Sequence, residues 1–276
     1  MNSDVPGTDG SWLYYDSDYP APEEIGDDPA LRAMLARQGV LHDTAFYRAL
    51  AERSPGPVLE LGCGSGRITR SLAAHAPVTA VDIATPMLDR LHSRLEREPE
   101  AVRARVTPVQ ADVATLDLPR KDHALVVWAF NGLNLVPDAG RQLSALVAAV
   151  HHLSPGGRLA LDVVNPLVMP LNGQAVPEVS FTRIRRDTGN PYSKIALVDP
   201  MDAAQVQRIH GWYDEVLPDG AVRRVPYGFD WRLVFRFELG LLLSLAGLRL
   251  ELVAGGFRGE PFEPHSPKIV MVAVKG

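Results

Sequence analysis

The chain of 276 residues has a single cysteine, Cys63. An internal disulfide is excluded, and a reducing, cytoplasmic setting is expected. Basic residues are in deficit: 28 lysines and arginines against 33 aspartates and glutamates give a net charge of −5. There is no basic run and no alternation of basic with aromatic residues, so no nucleic-acid partner is expected. The longest apolar stretches, near 124–136 and 239–250, are short and carry polar breaks. Neither suits a bilayer span, and no membrane partner is expected. No charged segment followed by an apolar one opens the chain, so no signal peptide is expected. No internal repeat is visible. What is present is 46% hydrophobic residues, enough for a sizeable core in one large α/β domain or a domain with an elaboration.

The most informative stretch is VLELGCGSGR, residues 58–67. An apolar strand, Val58 to Leu61, runs into glycines 62, 64 and 66, and a helical pattern follows from Arg67 to His75. Strand, glycine turn and helix make the entry to a nucleotide-type site, where small residues allow close approach and a helix N-terminus faces the ligand. The dinucleotide pattern G-x-G-x-x-G would need glycine at Arg67. The pattern present is E-x-G-x-G-x-G, which suits a nucleoside carrying a carboxylate better than one carrying a pyrophosphate.

These residues resemble motif I of the class I S-adenosylmethionine-dependent methyltransferases, in particular the small-molecule type acting on amino sugars and natural products. Further motifs fall at matching distances. Residues 77–83, PVTAVDI, form a second strand ending in Asp82. The resemblance makes Asp82 a ribose acceptor, the rival being a helix cap; Thr85 and Pro86 already supply cap and first-turn chemistry there. Ile83 and Met87 would flank the adenine or belong to the core. After a third strand, 106–111, Asp112 and Val113 would meet the adenine edge, unless Asp112 is a surface-loop residue. Glu60 would receive the cofactor's amino group, or else pair with Arg67. Gly62, Cys63, Gly64 and Ala129 complete the implied cofactor-binding set, and S-adenosylmethionine is the implied cofactor.

The strand His123 to Phe130 is the most apolar and should be central. It is not followed by [DN]-P-P-[YF], and no acid stands where a catechol-type enzyme would hold magnesium, so no metal is expected. Asn131-Gly132-Leu133-Asn134-Leu135 resembles an N-S-L-x-H-L run with Leu135 in place of the histidine. Asn131 would orient the substrate or the methionyl group, or cap the next helix. A helix at 140–153, the turn Ser154-Pro155-Gly156-Gly157 and a fifth strand at 158–164 complete a β-α-β-α order. That order predicts a doubly wound parallel sheet with the ligand at the strands' C-terminal rim.

After Pro166 the pattern changes to short strands at 179–186, 193–198, 206–216 and 222–232, an antiparallel meander. It would roof the pocket or serve as a dimerisation arm, and a homodimer stays open. A helix at 233–246 ended by Gly247, then strands at 248–254 and 269–274, resemble the family's usual ending with the last strand antiparallel. The fold class expected is therefore α/β: a Rossmann-like seven-stranded doubly wound sheet with the last strand antiparallel and a β-meander inserted after strand five. The expected segments are a leader or lid at 1–28, a cofactor-binding core at 29–166, a β roof at 167–232, and completion of the core at 233–276. In the leader, Trp12, Tyr14, Tyr15 and Tyr19 either tie a tail to the surface or cover a ligand.

The function implied is methyl transfer from S-adenosylmethionine to an amine or hydroxyl of a small metabolite. The alternative is another reaction on the same fold, such as a cyclisation. Alignment and desolvation carry most of such a displacement, and a base is needed only where the nucleophile must lose a proton. His210 and His265 are the candidate catalytic residues, and Tyr14, Tyr15 and Asn131 the candidate substrate contacts. His151 and His152 fall on the far rim, His75 and His92 on crossover helices, and His42 is ambiguous.

Overall fold

The structure, a computed structural model, describes residues 10–276. Residues 1–9 of the expected leader lie outside the described residues. The chain divides into two compact units, one comprising residues up to Pro20 together with Met169–Leu233, the other Ala21–Val168 with Val234–Gly276.

The larger unit begins with two helices. The helical pattern over 29–53 is broken at Gly39, as its glycine suggests: α2 (Pro29–Arg37) and α3 (Asp43–Arg53) flank it, and Gly39 takes φ +68°, which a side chain would resist. Strands β1 (Val58–Leu61), β2 (Val78–Asp82), β3 (Val106–Gln110), β4 (His123–Trp128) and β5 (Leu153–Val164) alternate with α4 (Thr69–Ala73), α5 (Thr85–Leu95), the short α6 (Glu100–Arg103) and α7 (Ala139–His151). After the smaller unit come α8 (Arg236–Leu245), β10 (Leu248–Ala254) and β11 (Lys268–Lys275). The sheet order is β10-β11-β5-β4-β1-β2-β3. Strands β1 to β5 pair in parallel, and β11 is antiparallel to both β5 and β10. β1 and nearly all of β4 are buried because helices cover both faces of the central strands. This is the seven-stranded architecture expected.

Several boundaries differ by a few residues, and two of the differences have a visible local cause. β5 starts at Leu153 and takes in the Ser-Pro-Gly-Gly turn, with a shift in its register against β4 between His123 and Leu125; a β-bulge absorbs the extra residues that sequence chemistry reads as a turn. The helix expected over 67–75 is only Thr69–Ala73, because residues 66–68 remain in the turn, where the Gly66 amide donates to the Cys63 carbonyl.

The smaller unit holds α1 (Ser11–Asp18) and a four-stranded antiparallel sheet, β6 (Gln174–Ile184), β7 (Pro191–Val198), β8 (Val206–Val216) and β9 (Val222–Arg232), in meander order. Its core is aromatic: Tyr14 of α1 stacks on Tyr213 at 4.1 Å between ring centroids, with Tyr192 and Tyr227 completing the cluster. Among the described residues no helix is long and apolar enough to cross a membrane.

Candidate cofactor site

β1 delivers its chain to a turn in which Gly62, Gly64 and Gly66 all have positive φ. At Gly66 the requirement is double, since a β-carbon would also collide with the Leu91 side chain. The Gly64 amide donates to Asp82 Oδ2 at 2.8 Å and the Cys63 amide to the Val81 carbonyl at 2.9 Å, so the turn is pinned to the end of β2. α4, five residues long, gives only a small dipole at this point.

Glu60 sits one residue before the end of β1, 2% exposed, and its Oε2 has no hydrogen-bond partner. Its register neighbours are Ala80 and Val127, both apolar. Burial pushes its carboxyl up to about 8, against the opposing pull of Thr69 and Arg67. The alternative reading of Glu60, an ion pair with Arg67, does not hold. Arg67 makes a two-pronged bond to Asp43 of α3, Nη1 to Oδ1 at 2.8 Å and Nη2 to Oδ2. A buried carboxylate oxygen without a donor is costly unless a donor arrives.

Asp82 is more constrained than the sequence suggests. Besides the Gly64 amide, its Oδ1 accepts the Ala84 amide at 2.8 Å. Ala84, not Thr85, precedes the first turn of α5, and the Thr85 hydroxyl accepts from Gln110 Nε2 instead. The carboxylate also draws on the Ile83 amide, so only part of its acceptor capacity remains. Ile83 is 63% exposed at the strand end, so it is no core residue; Met87 is half-buried. Asp112 caps a short 3-10 turn at Val113–Thr115 by accepting the Ala114 amide at 2.8 Å, and its other oxygen accepts from Arg141 Nη2. The Arg141 bond was not anticipated.

Past β4, Ala129 is buried, and Phe130 and Asn131 both adopt left-handed backbone, φ +56° and +61°. Asn131 makes no side-chain cap for the turn that follows; its Oδ1 accepts from Lys268 Nζ at 2.6 Å. Lys268 also donates to Asp162 Oδ2 at 2.8 Å, while Asp162 Oδ1 accepts the Tyr47 hydroxyl and the Phe130 amide, each at 2.7 Å. Sequence reasoning missed Asp162 and Lys268. The available signal was a lone charge inside each of two apolar strands, LALDVV and KIVMVAV, since an isolated buried charge demands a partner.

The candidate acceptor-side residues are dispersed. Tyr14 is fully buried in the aromatic core of the smaller unit and donates to Glu215 Oε2 at 2.8 Å; burial and that carboxylate raise its hydroxyl to about 12. It is therefore a packing residue, not part of a surface lid. Tyr15 is half-buried and its ring lies 5.5 Å from that of Tyr19. His210, on β8, has its Nε2 3.1 Å from Asp199 Oδ1 in the loop after β7. His265, in the loop before β11, is 84% exposed beside Glu263. His152 is buried; its Nε2 accepts the Leu118 amide, a structural use. His42, His75 and His92 are exposed.

Residues 58–157 match the family model described as a methyltransferase domain. The chain is 29% identical to the cypemycin N-terminal methyltransferase of Streptomyces sp over 85% of this chain and 88% of that one. Among solved structures it resembles the CcbJ methyltransferase from Streptomyces caelestis, with TM-score 0.75, 27% identity and 97% of each chain covered. The fold is also that of the S-adenosylmethionine-bound amino pentose methyltransferase CalS10 from Micromonospora echinaspora, with TM-score 0.66, 20% identity, and 90% of this chain and 98% of that chain covered.

Proposed function

We propose that the chain, which matches a methyltransferase domain over residues 58–157, is an S-adenosylmethionine-dependent methyltransferase that transfers the methyl group to an amine of a small natural product or peptide. The observation that carries the cofactor side is Glu60: a buried carboxylate with one unpartnered oxygen, immediately before a glycine turn, matches the ammonium of a methionyl group. On this reading the turn at Gly62, Cys63 and Gly64 meets the methionyl end, and the remaining acceptor capacity of Asp82 takes the ribose hydroxyls. Exposed Ile83 and Met87 flank the adenine, Asp112 and Val113 address its edge, and Ala129 closes the floor. The cofactor supplies a methyl group on a cationic sulfur, a leaving group already activated. The protein's own share is alignment, worth about 7–11 kcal/mol where two reactants are held in line.

Two observations favour an amine over a hydroxyl. The relative named above is an N-terminal methyltransferase. Both candidate bases, His210 and His265, are solvent-accessible and paired with carboxylates. An amine can lose its proton to solvent before it enters, whereas an aliphatic hydroxyl needs a base in place. The test is transfer of labelled methyl from S-adenosylmethionine to matched amine and hydroxyl acceptors, including peptide N-termini and amino sugars. Labelled product from the amines supports the proposal. Labelling of the hydroxyl analogues alone, or consumption of the donor without methyl transfer, refutes it.

A further inference from the structure

The exit from β4 holds a built device that the cofactor reading does not use. Phe130 and Asn131 are consecutive non-glycine residues in left-handed backbone, a conformation costing on the order of 1–3 kcal/mol per residue that persists only where the surroundings over-determine it. They do so here. Asp162 accepts the Phe130 amide, the Asp162 carbonyl accepts the Asn131 amide at 3.2 Å, and Lys268 bonds both Asp162 and the Asn131 side chain. Lys268 is 2% exposed, Asp162 and Tyr47 fully buried.

The ammonium also settles the polarity of the Asn131 amide. Lysine has three donors and no acceptor, so the atom 2.6 Å from Nζ has to be the amide oxygen. The Nδ2 donors are left without a hydrogen bond among the described residues. Asn131 therefore offers N–H groups and no acceptor. The corner adjoins the glycine turn: the Trp128 indole lies beside both Gly62 and Gly132, and the Phe130 ring lies under Arg67 at 5.1 Å and Lys268 at 5.4 Å.

We propose that Lys268 and Asp162 are positioning residues that lock Asn131 as a donor to the carboxylate of the methionyl group. The inference rests on the cofactor reading above. It divides the recognition of a zwitterion between two side chains: Glu60, an acceptor, takes the ammonium, and Asn131, a donor, takes the carboxylate. A charged acceptor makes such a bond short and strong.

The test compares S-adenosylhomocysteine with 5′-methylthioadenosine, which keeps the nucleoside and thioether but has no amino-acid end. Both are titrated calorimetrically into the full-length protein and its variants, with thermal unfolding run in parallel. Asn131→Asp preserves an oxygen for Lys268 and replaces the donors by an acceptor. It is expected to weaken S-adenosylhomocysteine by roughly tenfold to a hundredfold, the range for losing a bond to a charged group, and to leave 5′-methylthioadenosine within about twofold. Lys268→Met alone strands the Asp162 charge and can unfold the protein, so it is paired with Asp162→Asn. The double variant is expected to lose S-adenosylhomocysteine affinity in the same selective way, with little further loss when Asn131→Asp is added, because the same bond is lost by both routes. Unchanged S-adenosylhomocysteine affinity in Asn131→Asp, or parallel loss of both ligands, overturns the proposal while leaving the cofactor reading intact. If the unmodified protein binds neither nucleoside, the cofactor reading falls and the proposal with it.

Discussion

Glu60 in the larger unit and Glu215 in the smaller are both buried glutamates, yet their surroundings are opposite. Glu60 has an oxygen without a hydrogen-bond partner, and burial lifts the group to about 8. Glu215 is 0% exposed and saturated: Tyr14, Arg185, Arg223, Asn190 and Thr188 all donate to it. Burial alone would raise Glu215, but those hydrogen bonds outweigh it and hold the group at about 2. The difference separates two uses of the same side chain. A carboxylate whose partners are all supplied by its own fold is a staple. On the reading proposed above, one left short of a donor is where a cationic ligand completes the structure.

The strongest way to break this comparison is to remove Glu215. Glu215→Ala strips buried Tyr14 of its acceptor and leaves Arg185 with Asp187 alone, and is expected to cost about 3–5 kcal/mol of stability, measured by denaturant unfolding. Glu60→Gln should do the reverse, leaving the empty protein as stable or more so while sharply weakening S-adenosylhomocysteine. Equal destabilisation by the two substitutions would erase the distinction.

The pH dependences should also oppose each other. Because the folded protein holds a proton on Glu60 that the unfolded chain releases near 4.5, its contribution to stability is full below that pH and is lost as pH rises to about 8. That loss, on the order of a few kcal/mol, should shrink when S-adenosylhomocysteine is bound and vanish in Glu60→Gln. The Glu215 contribution runs the other way, being present above about 4.5 and lost as pH falls through about 2. Thermal unfolding across pH, with and without ligand, measures both.

Smaller effects sharpen the picture within the larger unit. Asp82→Ala should weaken S-adenosylhomocysteine by about 1–3 kcal/mol in calorimetry, through lost ribose bonds and through the Gly64 amide that Asp82 holds in place. Arg141→Ala should change stability by only about 0.2–1 kcal/mol, the usual worth of an exposed pair, as read from the shift in the unfolding midpoint.

The residues themselves made much of this legible. Val58–Leu61, Val206–Val216, Val222–Arg232 and Leu248–Ala254 could be bounded from apolar runs and turn signals because strand patterning is a local property. Glu60 and Asp82 could be singled out because their chemistry stands at fixed distances from the glycines. Tyr14 could not be read correctly. Its partners, Tyr213 and Glu215, lie about 200 residues away in the chain, and only the docking of α1 on the meander turns an aromatic leader into a core. Asn131 was visible as a polar residue at a strand end, but what fixes its amide is a lysine 137 residues later.

By itself, then, the sequence determined the alternation of strands and helices, the glycine turn, the inserted meander and the acids bordering the turn, since each depends on neighbours in the chain or on a periodicity of two or 3.6 residues. Only the tertiary structure decided which of those polar groups were already satisfied. It gave Arg67 to Asp43, surrounded Glu215 with donors, left Glu60 short of one, and set Lys268 against Asn131. The reason is that hydrogen bonds between side chains far apart in the chain exist only after the strands that carry them have been placed side by side.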